Sequence, residues 1–258
     1  MPVDVTVKNH VATVVLNRPE AMNSVDLEMR QQLYALWDRL RDDQDIHVAI
    51  ITGAGDKAFC TGSDLKKTMP PKESVAELTF GRNKPGTMLQ GFGSDKPVIC
   101  AINGYALGGG MELALACDIC IASDNAKLGL TEARIGSIPG SGGVQRLPRT
   151  VGKSDAMLLL LTGDTIDAHQ ALRMGMLSEV VSQGDLMPTA QRIARRIADN
   201  APLAVRAIKR LVTQGMDMPL TNALEVDKYV FGLLRDTGDR IEGRTAFQQK
   251  RTPVFKGK

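Results

Sequence analysis

Asn103-Gly104-Tyr105-Ala106-Leu107-Gly108-Gly109-Gly110-Met111-Glu112-Leu113-Ala114 is the stretch on which the reading of this chain turns. It follows an apolar run, Pro97 to Ile102, that reads as a buried strand. It leads into a helical pattern from Met111 to Ala116, with Gly104 to Gly110 reading as a glycine-rich turn between the two. Three glycines at a helix start leave amide N–H groups unpaired and uncovered by side chains. Such amides, backed by the helix dipole, suit the stabilisation of a developing oxyanion. Glu112 falls in the first turn, beside that anion site. On this segment alone two readings are open. One is an acid over an oxyanion site; the other is tight helix–sheet packing with Glu112 as a solvated first-turn acid.

A second carboxylate favours the first reading. Leu130-Thr131-Glu132-Ala133-Arg134-Ile135-Gly136 places Glu132 after a short strand and ahead of Pro139-Gly140-Ser141-Gly142-Gly143. Two glutamates flanked by glycine turns suit general acid–base work in a partly dry pocket, where burial and mutual repulsion push their pKa values apart. Taken singly, Glu132 also reads as a surface acid pairing with Arg134.

Outward from this centre, Val3, Val5 and Val7 alternate with polar residues, and Val11 to Leu16 forms a second strand, so the chain opens with a hairpin. Residues 24–41 carry Met29, Leu33, Leu36, Trp37 and Leu40 at helical spacing. Ile46 to Thr52, Asp118 to Ala122 and Lys127 to Leu130 read as short strands. Residues 68–96, with Pro70-Pro71 and Pro85-Gly86, read as a long loop, a lid or pocket wall. From Lys153 onward the strand signal fades, and 154–161, 167–174, 186–199, 202–214 and 219–235 read as helices. The pattern is strands alternating with helices, then a helical tail.

Other motifs carry less. Gly53-Ala54-Gly55-Asp56-Lys57-Ala58 fits a dinucleotide fingerprint, but Phe59-Cys60-Thr61-Gly62 stands where the required helix would start. Gly81 to Thr87 resembles a phosphate loop without its lysine. Cys117-Asp118-Ile119-Cys120 has no second pair of ligands for zinc and closes a helix rather than opening one. The three histidines, His10, His47 and His169, are scattered, and no G-x-S-x-G occurs. No metal site is therefore expected.

The formal net charge of +3 and an aromatic content of 4% argue against nucleic-acid binding, though the charge suits an anionic small ligand. No apolar run is long enough to span a bilayer, and Met1 to His10 lacks the apolar core of a signal peptide. The expectation is a cytoplasmic protein whose four cysteines are reduced.

At the residues quoted, and over essentially its full length, the chain resembles the crotonase (enoyl-CoA hydratase/isomerase) superfamily. The resemblance runs through Leu16-Asn17-Arg18-Pro19 with Ala21-Met22-Asn23-Ser24, Phe59 to Leu65, Asn103 to Glu112, Ile138 to Gly143, Leu161 to Asp164 and Glu242 to Phe247. It implies an α/β fold, a spiral of repeated ββα units over 1–195, followed by a helical trimerisation region over 196–258. It implies that the amides of Ser63 and Gly109 form an oxyanion hole for a thioester carbonyl, and that Glu112 and Glu132 are the catalytic pair. Arg18, Ala21 and the stretch Ser63, Asp64, Leu65 and Lys66 fall where coenzyme A is held. Coenzyme A then enters as part of an acyl-CoA substrate, with no separate cofactor, and the assembly is a homotrimer or a dimer of trimers. Ser63 departs from the alanine frequent at its position, and residues 68–96, including Arg82 and Lys84, do not match one well-known hydratase closely.

The expectation is an enoyl-CoA hydratase. An enoyl-CoA isomerase, a carnitinyl-type dehydratase and a non-catalytic RNA-binding member of the fold are the alternatives.

Overall fold

The computed structural model describes residues 1–68, 88, 89 and 91–258. Most of the loop expected over 68–96, with Arg82, Lys84 and the Gly81 to Thr87 motif, lies outside the described residues.

The opening hairpin pairs β1 (Val3–Lys8) with β2 (Val11–Leu16) in antiparallel register, Val3 opposite Leu16. Helix α1 (Leu27–Asp42) starts where the Asp26 side chain accepts the Met29 N–H, and it buries Met29, Leu33, Leu36, Trp37 and Leu40 on one face. Then a step repeats. Strand β3 (Val48–Gly53) is followed by β4 (Ala58–Cys60) and the short helix α2 (Leu65–Thr68). Strand β5 (Val98–Ile102) is followed by β6 (Tyr105–Leu107) and α3 (Gly109–Ala116). Strand β7 (Ile119–Ser123) is followed by β8 (Lys127–Gly129) and a 3-10 turn over Glu132–Ile135. The first strand of each step joins a six-stranded sheet in the order β1-β2-β3-β5-β7-β10, and the second joins a four-stranded sheet in the order β4-β6-β8-β9. This is the spiral of ββα units that the resemblance implies.

Helices α4 (Gly143–Thr150) and α5 (Lys153–Thr162) precede β9 (Ile166–Asp167), α6 (Ala168–Arg173) and β10 (Glu179–Val181). Helices α7 (Leu186–Ala198), α8 (Pro202–Gly215), α9 (Leu220–Leu234) and α10 (Gly238–Gln248) complete the chain.

Strands β3 and β5 are buried at every residue because both faces of their sheet are covered. Side chains alternate across a strand. Val48 and Ile50 pack with Leu186, Ala190 and Ala194 of α7, whereas Ala49 and Ile51 join the main core with Trp37, Phe59 and Leu113. Helices α8 and α9 differ: neither has a buried residue, and Ile208, Val212, Leu220, Tyr229 and Phe231 are exposed. Among the described residues no helix is long and apolar enough to cross a membrane.

Several sequence expectations are corrected. The stretch Gly104 to Gly110 is not all turn, since Tyr105–Leu107 is strand β6, parallel to β4 and β8. Strand structure continues after Lys153 as β9 and β10. Both are too short, at two and three residues, to set up a readable alternation. Helix α10 was also unread, because its start, Gly238-Asp239-Arg240, is polar.

The glycine-bearing turn after β3 is structural. The Asn103 side chain accepts the Gly53 N–H at 3.0 Å and donates to Gly53 O at 2.9 Å and Gly55 O at 2.8 Å. The turn leads into a strand, so no helix dipole is available there for a pyrophosphate. The four thiols are free, and Cys117 closes α3 as its sequence position suggested. Cys60 is fully buried, and burial pushes its thiol up to about 12.

Candidate active site

The site is built where the end of β4 meets the start of α3. Gly108, ahead of the helix, has φ +52° and ψ −124°, a conformation open to glycine and costly for other residues. Its N–H is used on Gly129 O at 2.9 Å, and Glu112 N–H closes the first helical turn on Gly108 O at 3.0 Å. The next amides, beginning with Gly109, belong to the first turn and have no acceptor within the helix. Gly110 lets the helix press against β4: a Cβ there would lie 2.0 Å from the Cys60 carbonyl oxygen.

This contact sets Gly62, the residue before Ser63, against Gly109. A Cβ on Gly62 would lie 2.7 Å from Gly109 N, and one on Gly109 would lie 3.2 Å from Gly62 Cα. Ser63 is exposed and follows Gly62 directly. Its neighbours bond to Val25, with Val25 N donating to Gly62 O at 2.8 Å and Asp64 N donating to Val25 O at 3.0 Å. In such a parallel bridge the N–H and C=O of the middle residue face away from the partner strand. The Ser63 amide is thereby turned away from Val25, one residue along from the contact of Gly62 with Gly109.

Glu112 is not a solvated acid, as it is 3% exposed. Its Oε1 accepts Ser141 N–H at 2.6 Å and Gly143 N–H at 2.8 Å. These donors come from the glycine-rich turn before α4, and Arg146 Nη1 braces that turn by donating to Ser141 O at 2.8 Å. Sequence reading quoted the Ser141 to Gly143 turn without seeing its role. Glycines able to expose consecutive amides were the available signal.

Glu132 lies at the first turn of the 3-10 segment with its carboxyl over Gly108; a Cβ on Gly108 would meet Glu132 Oε1 at 3.2 Å. It does not pair with Arg134, whose guanidinium donates to Thr162 O at 3.1 Å and forms an ion pair with Asp164. Glu132 Oε2 is buried with no hydrogen-bond partner among the described residues. Burial raises the Glu132 pKa, and the nearby Glu112 charge adds to the rise.

The residues expected to hold coenzyme A divide. Ala21 lies partly buried in the Pro19–Ala21 turn, and Leu65 and Lys66 are exposed at the start of α2. Arg18 faces inward instead. It is 8% exposed, donates to Ser24 O and Asp64, and lies 3.4 Å from Asp26. Its guanidinium is committed inside the protein, so it does not present a free cation to a phosphate. Among the described residues no group of three or more His, Cys, Asp or Glu is placed to hold a metal ion.

The family model for enoyl-CoA hydratase/isomerase matches residues 6–258. (E)-benzylidenesuccinyl-CoA hydratase of Thauera aromatica is 50% identical over 257 residues, covering 100% of both chains. Carnitinyl-CoA dehydratase of Proteus mirabilis is 40% identical, covering 98% of this chain and 97% of its own. The crystal structure of enoyl-CoA hydratase from Bacillus anthracis superposes with a TM-score of 0.93 at 39% identity, covering 100% of each chain. On sequence and fold together, the chain is an enzyme of the enoyl-CoA hydratase/isomerase family and has the crotonase fold.

Proposed function

We propose that the protein is a hydro-lyase that reversibly adds water to a 2-enoyl-CoA thioester. The observation that carries this reading is the pair of glutamates with unlike surroundings. Glu112 is fixed by two backbone amides, and Glu132 is raised in pKa over the start of the same helix.

Hydration builds negative charge on the thioester carbonyl oxygen. The amides of Ser63 and Gly109 are the donors proposed for it, and losing one such donor typically costs about 3–4 kcal/mol of barrier. Glu112 takes a proton from water as the water attacks C3. Its orientation is set through Oε1, which leaves the second oxygen for the water. Glu132 supplies a proton at C2, a role that its raised pKa supports because the protonated form persists to higher pH. Coenzyme A enters with the substrate, held near Ala21 and the Ser63 to Lys66 stretch; no metal or nicotinamide takes part.

Two glutamates favour hydration over isomerisation, which can proceed with one. The relative named for benzylidenesuccinyl-CoA suggests an acyl group larger than crotonyl, and the carnitinyl-CoA relative keeps dehydration of a substituted 3-hydroxyacyl-CoA as the second reading. The exposed apolar residues of α8 and α9 support an assembly region over 196–258, forming a homotrimer or a dimer of trimers. The four free thiols suit a cytoplasmic setting.

The test is loss of the conjugated enoyl-thioester absorbance with crotonyl-CoA, using Glu112→Gln as control. Loss with the wild type and none with the variant supports hydration through Glu112. Equal turnover by both sinks the mechanism.

A further inference from the structure

Ser63 sits in a ladder one residue long. The Val25–Ser63 bridge is isolated from both sheets, so no neighbouring strand fixes its register. The direction of the Ser63 amide depends on how firmly residues 24–26 hold residues 62–64.

One buried side chain grips both segments. Arg18 Nη1 donates to Ser24 O at 2.5 Å, and Nη2 donates to Asp64 Oδ2 at 3.0 Å while standing 3.4 Å from Asp26 Oδ2. The fork thus touches the residues on both sides of Val25 and the residue after Ser63. Its own backbone is anchored, with Arg18 N donating to Asn23 Oδ1 at 2.9 Å. Each carboxylate also organises a helix start: Asp26 accepts from Met29 N at 3.0 Å, and Asp64 accepts from Lys66 N at 3.2 Å. Lys67 Nζ also reaches Asp26 at 2.8 Å, and Arg18 Nε lies 4.0 Å from Glu20. The Arg18 hydrogen bond holds Asp64 below the usual carboxylate range. Burial pushes Asp26 up, but Lys67, the Met29 amide and Arg18 outweigh it and bring it below that range.

We propose that Arg18 is a positioning residue for the oxyanion hole, its guanidinium fork stapling residues 24–26 to 62–64 and so aiming the Ser63 amide. The inference rests on the Ser63 and Gly109 reading above. It gives Arg18 a task in the chemical step rather than in contacting coenzyme A. The fork is essential: lysine restores a charge but not two directed bonds. Removing the fork takes away the bonds that tie Ser24 and Asp64 to one side chain, and displacement by about 1 Å near a reacting centre can cost roughly 100-fold in rate.

The experiment compares the full-length wild type with Arg18→Gln, Arg18→Lys and Asp64→Asn. For each, the carbonyl stretch of bound butyryl-CoA, which cannot be hydrated, is read by infrared difference. kcat and KM for crotonyl-CoA and the Kd for free coenzyme A are measured beside it. Arg18→Gln is expected to lose most of the carbonyl downshift and about 100-fold in kcat. Arg18→Lys should recover part of both, and free coenzyme A should bind wild type, Arg18→Gln and Arg18→Lys comparably. A downshift and kcat unchanged in Arg18→Gln overturn the inference, as does a loss confined to coenzyme A affinity. If Arg18→Gln does not fold, Arg18→Lys and Asp64→Asn decide by the same readings, and wild-type values in both overturn it. No downshift in the wild type overturns the oxyanion reading itself, and the Arg18 inference with it.

Discussion

Glu112 and Glu132 carry the same functional group into two different kinds of wall. Glu112 is 3% exposed and hydrogen-bonded to two backbone amides contributed from 29 and 31 residues away. Glu132 is partly buried, and one of its oxygens meets no donor among the described residues. Satisfied donors fix a carboxyl group in space, whereas an unsatisfied buried oxygen penalises its charged form. The first environment prepares a position and the second prepares a protonation state. In the proposed hydration the first device aims a water and the second keeps a proton on the carboxyl to higher pH than an ordinary glutamate would.

Substitutions can break this contrast. The largest effect is expected from Glu112→Gln, with kcat for crotonyl-CoA hydration falling by about 1,000-fold or more while acyl-CoA affinity stays near wild type. Stopped absorbance together with calorimetric binding would check both halves. Glu132→Gln should follow, with a loss of about 100-fold or more and a changed pH profile. In the proposed mechanism Glu132 acts protonated, so the fall in wild-type activity is expected on the alkaline side, with kcat dropping as pH rises through its raised pKa. The variant should lack that limb; a limb that persists assigns it to another group.

Gly143→Ala sharpens the positional half. The new Cβ would lie 2.8 Å from Pro139 Cβ and 3.1 Å from both Glu112 Cγ and Leu130 Cδ1, so the clamp on Glu112 must shift. A loss of roughly 10-fold in kcat with little change in KM is expected, on the scale of small misplacements near reacting atoms. Steady-state kinetics at saturating crotonyl-CoA would show it.

The smallest effect belongs to stability. The Glu132 pKa is higher in the folded chain than in the unfolded one, so its contribution is fully present below the unfolded value and is lost as pH rises through the folded value. Above that window Glu132→Gln should melt slightly higher than wild type, by about 2 °C. Below it the two should converge. Thermal melts over a series of pH values from acidic to alkaline would test the sign, and a variant less stable than wild type at the alkaline end would contradict the desolvation account.

The helix start at Gly108 to Glu112 was legible because its glycines and acid are contiguous, and local chemistry sufficed to connect them. The long strands β3 and β5 were legible for the same reason, as unbroken apolar runs. What sequence reading missed was assembled across distance or in pieces too short for a period. Strands β4 and β6 have three residues each, and β6 sits inside a segment rich in turn formers. The ββα repeat therefore looked like irregular connection. The role of Ser141 and Gly143 was invisible because their amides carry no side-chain signature. Arg18 was assigned by resemblance to the ligand, yet its partners Asp26 and Asp64 turn it inward; nothing in the local sequence Asn17-Arg18-Pro19 distinguishes the two orientations.

Cys60 gives the molecule an internal clock. Its carbonyl oxygen is the surface against which Gly110 is pressed, and its thiol is sealed in the same wall with its pKa pushed up to about 12. Thiol reagents attack the thiolate and need access, so the closed wall protects Cys60 on both counts. Alkylation of Cys60 in the native enzyme therefore requires an opening of that wall. A ligand carbonyl bound by the proposed amides of Ser63 and Gly109 would bridge α3 to the segment that follows β4, and is expected to slow that reaction without touching the sulfur.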